Sequence, residues 1–92
     1  MLTAIVMIRT DIDQIPEVAQ KVADIDGVRE VYSVTGDDDL IAIVRVREHE
    51  DLARVVSDRM GKIPGVRYLK THIAFRAYSQ ADLEAGFHLG IE

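Results

Sequence analysis

Cysteine and tryptophan are both absent from this chain of 92 residues. Without cysteine there are no disulfides, no thiolate ligands for zinc and no thiol nucleophile, and the redox compartment is left open. Aromatic residues make up only 5% of the chain, so a cofactor or flat-ring ligand has little to stack on, and no cofactor is expected. No long hydrophobic run exists either. The N-terminal run Ala4 to Ile8 has five residues before Arg9, far too few for a signal peptide or a membrane span. A cytoplasmic protein is therefore the default. Basic residues are outnumbered 11 to 16, and the formal charge of −5 disfavours a nucleic-acid surface, which would show a basic stripe.

Chemistry is sparse as well. There is no Gly-rich phosphate loop, no Ser/His/Asp order and no aromatic stacking platform. His88 lies four residues after Glu84, but Gly86 interrupts the helix that a shared metal would require, so no metal site is expected. His72 stands on a strand between Lys70 and Arg76, a place for a sheet-face or interface residue more than for a base. The sequence argues against an enzyme.

What is present is a small globular domain, 48% apolar and 29% charged. A chain of this size buries roughly 60–65% of its unfolded surface, which makes help from a partner subunit plausible. Val28–Thr35 and Leu40–Val46 are β-branched, apolar-rich runs around the loop Gly36–Asp39, and they read as a β-hairpin. Before the hairpin, Leu2–Ile8 reads as a strand. Ile15, Val18, Ala19 and Val22 then mark one helical face, with Asp11 or Asp13 as its cap and Pro16 in its first turn. After the hairpin, Leu52, Val55, Val56 and Met60 mark a second helix from about Glu50 to Met60. Gly61 stands where a left-handed C-terminal cap belongs. Gly65-Val66-Arg67 restarts a strand as Gly27-Val28-Arg29 did, so the chain reads as two βαβ halves.

This β-α-β-β-α-β order predicts a ferredoxin-like α+β fold, a four-stranded antiparallel sheet with both helices on one face. Residues 1–78 form that domain, and residues 79–92 add a short helix opening at Ser79 and an extended tail in which Phe87, Leu89 and Ile91 alternate. The first and third strands are apolar on both faces, whereas a sheet with one wet face should alternate apolar and polar residues. Ile5, Met7, Ile41 and Ile43 therefore predict a dimer interface, with a second copy of the sheet as the economical cover. In the last strand, Leu69, Thr71, Ile73, Phe75 and Ala77 share one face.

The loop Gly36-Asp37-Asp38-Asp39 places three carboxylates on a turn that needs one. Two readings stand side by side: a solvated acidic tip, or a loop shaped to hold a positively charged group. Val34-Thr35-Gly36-Asp37-Asp38-Asp39-Leu40, then Ile63-Pro64-Gly65-Val66 and Thr71-His72-Ile73-Ala74-Phe75, resemble the effector-binding domain of the Lrp/AsnC regulators, whose pattern runs V-T-G-x-x-D-hydrophobic, (L/I)-P-G-V and T-x-(I/V). The resemblance implies dimers made by facing sheets, rings such as octamers, and an amino-acid effector at dimer–dimer contacts. It assigns ligand binding to Thr35, Gly36, Asp37, Asp38, Asp39 and Thr71. Family regulators carry an N-terminal helix-turn-helix domain, and this chain begins at the first strand. Sequence-specific DNA binding is thus expected only through a partner, such as a full-length family regulator. The competing readings are a small dimeric ferredoxin-like barrel enzyme of monooxygenase or isomerase type, and a purely structural assembly factor.

Overall fold

The computed structural model describes residues 1–80. Strand β1 (Leu2–Thr10) leads through a 3-10 turn at Ile12–Gln14 into helix α1 (Ile15–Ala23), and the hairpin of β2 (Val28–Ser33) and β3 (Leu40–Val46) follows. Helix α2 (His49–Ala53) continues as a π turn over Arg54–Arg59 and a 3-10 turn over Met60–Lys62, and β4 (Val66–Ile73) completes the fold. The sheet order is β2-β3-β1-β4, with every neighbouring pair antiparallel. This is the ferredoxin-like arrangement that the element order predicts.

Strand alternation assigns the faces. Ala4, Val6 and Ile8 of β1 and Leu40, Ala42 and Val44 of β3 form one buried cluster with Val18 and Val22 of α1 and with Leu52, Val55 and Met60 of the second helical segment. Ile15 and Ala19 pack against the same cluster, so the helical face read from spacing is the buried one. The opposite face of the sheet carries Ile5 beside Ile43 and Met7 beside Ile41 in direct cross-strand register. These four side chains are only half-buried.

Four local expectations need correction. Asp11 and Asp13 make no side-chain cap on α1; the Asp11 carboxylate is taken by Arg67 instead. The second helix is not α-helical from Glu50 to Met60. Its buried anchors Val55 and Met60 are five residues apart, a spacing that α-helical winding splays by about 140° and that a π turn brings closer to one side. Gly61 is not a left-handed cap, because it lies inside the closing 3-10 turn, and the chain leaves that turn extended at Ile63 ahead of Pro64. Finally, β4 ends at Ile73 rather than continuing through Phe75 and Ala77. Its partner β1 begins at Leu2, the last bond runs from Ala74 N–H to Thr3 C=O, and Phe75 is fully exposed. The short helix and extended tail expected after Ser79 fall on residues beyond 80, outside the described residues.

The two Gly-Val-Arg restarts share a geometry: Gly27 and Gly65 both have φ +99°, where glycine alone is unstrained. At Gly65 a Cβ would also meet Val18 Cγ2 at 3.0 Å and Gln14 Cβ at 3.2 Å. Gly65→Ala is therefore expected to destabilise the domain by about 1–3 kcal/mol from the backbone alone, with added cost from displacing Val18. Urea unfolding measures this, and a midpoint equal to the parent's would contradict the packing described.

Candidate functional site

The hairpin tip, Val34 to Asp39, lies at the end of the sheet where β1 finishes. Asp39 ties it to β1 twice and closes the tip once. Its N–H donates to Ile8 C=O at 2.9 Å, its own C=O accepts from Val34 N–H at 3.1 Å, and its carboxylate accepts from Thr10 N–H at 2.8 Å. Thr10 is the one buried polar residue among those described. Asp39 therefore extends the β1–β3 ladder by a side chain.

Asp38 also has a task. Its carboxylate lies 3.6 Å from Arg9 Nε, and the Arg9 guanidinium stands 5.5 Å over the ring of Tyr68 on β4. Asp37 makes no ion pair among the described residues. Gly36 takes φ +105°, and a Cβ placed there would meet nothing within 4 Å, so the tip is open to whatever approaches it. Beside the tip, Thr10, Asp11, Ile12, Asp13 and Arg67 line a shallow open hollow of about 640 Å³. The Asp11 bond holds the Arg67 guanidinium above its ordinary pKa.

Of the six residues assigned to ligand binding, the structure gathers Thr35, Gly36, Asp37, Asp38 and Asp39 on one loop. It does not bring Thr71 to them within one chain. Thr71 pairs with Val6 on the far side of β1, which puts it roughly 13 Å along the strands and about 10 Å across them from the tip. A site using both regions takes them from two copies.

The bare sheet face forms two ordered rows. One runs Glu30, Ile43, Ile5, His72 and the other Tyr32, Ile41, Met7, Lys70. The four expected interface residues occupy its centre, with an acid and a phenol on the β2 edge and two basic side chains on the β4 edge. The Tyr32 hydroxyl donates to Glu30, which holds the phenol above its ordinary pKa.

Sheet order, bare face and tip define a small ferredoxin-like α+β module with a hairpin loop at one end. The family model for the Lrp/AsnC ligand binding domain matches residues 3–83, and the chain belongs to that family. It is 38% identical over 65 residues to the HTH-type transcriptional regulator LrpA of Pyrococcus horikoshii, a match covering 71% of this chain and 46% of the regulator. An uncharacterised HTH-type transcriptional regulator of the same organism, PH1916, is 40% identical over 76 residues, covering 79% and 51%. The chain thus spans about half the length of these curated relatives. Among solved structures, TTHA0845 from Thermus thermophilus matches with a TM-score of 0.83 and 40% identity over 87% of this chain and 100% of that one. AsnC of E. coli shares the fold, with a TM-score of 0.80 and 20% identity over 86% of this chain and 54% of its own. The curated relatives are named as regulators of transcription, not as enzymes.

The three loop carboxylates should respond differently to removal. Asp39→Ala leaves a buried N–H without its acceptor and is expected to cost about 1–3 kcal/mol. For a domain this small that is a melting shift of roughly 4–8 °C per kcal/mol. Asp37→Ala is expected to stay within about 0.5 kcal/mol of the parent. Equal melting points for the two variants would show that the Asp39 latch carries nothing.

Proposed function

We propose that this chain is an effector-responsive regulatory module that works in the cytoplasm as a homodimer of facing sheets, with dimers assembling into an octamer or similar ring. A free amino acid is the effector, held at Thr35–Asp39 of one copy with Thr71 supplied by another at a dimer–dimer contact. Regulation of transcription then runs through oligomerisation or through a DNA-binding partner, such as a full-length family member. The observation that carries this reading is the tip itself. Two of its three carboxylates are engaged within the chain, and Asp37 stands free of ion pairs among the described residues, on an open turn beside a glycine at positive φ. A carboxylate there pairs with an α-ammonium, and turn N–H groups suit an α-carboxylate. The regulator NMB0573 of Neisseria meningitidis, which has this fold, was solved in complex with L-Met.

Charge on the bare face favours one dimer geometry. A two-fold axis parallel to the strands lays Ile5 over Ile43 and Met7 over Ile41 of the second copy, and it sets Glu30 against the Lys70–His72 edge. An axis across the strands would stack like edges, Glu30 against Tyr32 and Lys70 against His72. Only the first arrangement brings the acid onto the basic edge, so it is preferred. The barrel-enzyme alternative needs polar catalytic groups inside the core, and among the described residues the core is aliphatic except for Thr10.

Two experiments test the proposal separately. Ile43→Asp puts a charge into the sheet–sheet contact and is expected to give monomers or insoluble protein; an unchanged mass with a native far-UV spectrum removes the dimer face. For the effector, an amino acid at 100 times its dissociation constant stabilises the native state by about 2.7 kcal/mol, a melting shift of order 10 °C. Asp37→Ala is expected to lose that shift while keeping the dimer. If no amino acid moves the midpoint, or if Asp37→Ala responds as the parent does, the site is not at the tip.

A further inference from the structure

The opposite end of the molecule has the opposite charge. There the loop after α1, the start of β2, the end of β3 and the π turn surround a groove of about 750 Å³. Five of the chain's 8 arginines line it: Arg29, Arg45, Arg47, Arg54 and Arg59. They come from three separate elements, so the fold, not a basic run in the sequence, gathers them.

The groove's carboxylates neutralise this cluster only in part, since five arginines face three aspartates. Asp51 is engaged by Arg54 at 3.0 Å and by Glu48 N–H at 3.1 Å, and Asp24 accepts from the Gln20 side chain at 3.1 Å. Asp26 is the third acid of the lining. Arg29, Arg45, Arg47 and Arg59 make no ion pair with any described residue. The π turn contributes directly. Arg54 and Arg59 are five residues apart, which α-helical winding would separate by about 140°, yet both line this groove. The same winding that seats Val55 and Met60 in the core thus delivers two arginines to one wall.

We propose that this groove is a binding site for a small polyanion, a molecule with two or more phosphate or carboxylate groups close together. The guanidinium is the side chain for such a ligand, because its planar fork meets these oxyanions in paired hydrogen bonds and stays charged at any working pH. The volume lies in the range of small-molecule pockets, and a lone inorganic phosphate would leave most of it empty. Scale also separates a small ligand from a nucleic acid. A duplex meets a long surface and the field of a chain at −5, while a compact anion inside the groove senses chiefly the arginines within about one Debye length of roughly 8 Å. The proposal is independent of the effector reading, since the groove shares no residue with the hairpin tip.

Calorimetric titration at fixed ionic strength tests it, with pyrophosphate, ATP and citrate as probes; the first two against the third distinguish a phosphate ligand from a carboxylate one. Binding of at least one probe is expected, weakened about tenfold by Arg47→Ser or Arg59→Ser alone and lost in the double variant. Both side chains are exposed, so the variants should keep the parent's far-UV spectrum, and Arg29→Ser supplies a third position on a different element. The proposal is overturned if no probe gives heat, or if the double variant binds with parental affinity. It is equally overturned if the double variant has a lower solution mass, which would make the groove a contact between copies, or if duplex DNA binds through the same arginines.

Discussion

The pairing of β1 with β3 is the constraint on which everything else rests. It runs from Leu2 opposite Val46 to Ile8 opposite Leu40, and it puts the even-numbered residues of both strands under the helices. In most half-buried sheets the hydrophobic pattern chooses such a register, because a slip by one residue would expose the core face. Here that safeguard is weak, since Ile5, Met7, Ile41 and Ile43 would fill the core nearly as well as their neighbours. The register is held instead at its tip end. There Asp39 bonds Ile8 through its backbone and Thr10 through its carboxylate. An outer face apolar enough to associate thus demands a polar pin at the strand end.

That division explains what could be read from the residues alone. The fold was legible because periods of two and of about 3.6 alternate cleanly along the chain, and because the Gly-Val-Arg restarts mark both halves. The helical face of α1 and the two-sided apolarity of β1 and β3 follow from spacing. The tip's internal economy was not legible. Its three aspartates look alike in sequence, and the bond from Thr10 to Asp39 spans 29 residues. Thr71 belonged to the same family pattern, but a pattern does not say which copy supplies a residue. The π turn escaped notice because Leu52, Val55 and Val56 fit an α-helical face, and only Met60, five residues past Val55, departs from it. The arginine groove left just one trace, the alternation Val44-Arg45-Val46-Arg47 at the end of a strand.

Net charge was the least informative quantity of all. A value of −5 describes neither end of the molecule. The tip gathers Asp11, Asp13, Asp37, Asp38 and Asp39 against Arg9 and Arg67, and the groove gathers five arginines against three aspartates. Each end presents its own field to a small ligand, because screening at physiological salt confines exposed charges to about 8 Å. A single acidic average conceals two ends of opposite charge.

The tip and the bare face are joined by one side chain. Arg9 has the odd-numbered parity of Ile5 and Met7, so it stands at the end of the outer face, where it lies over Tyr68 and reaches Asp38. A ligand that competes for Asp38 acts on a residue at the border of the proposed dimer contact. The size of that effect is bounded, since the Arg9 side chain is 52% exposed and exposed pairs contribute at most about 1 kcal/mol. Acting through this pair alone, a ligand would change an association constant by no more than about fivefold, because it shifts an equilibrium only by its differential affinity. In the proposed dimer, the aliphatic quartet at the centre of the face is therefore what sets its strength. In the proposed assembly, a ligand at the tip works mainly on contacts that the tip itself makes, where one copy's loop meets another copy's strand.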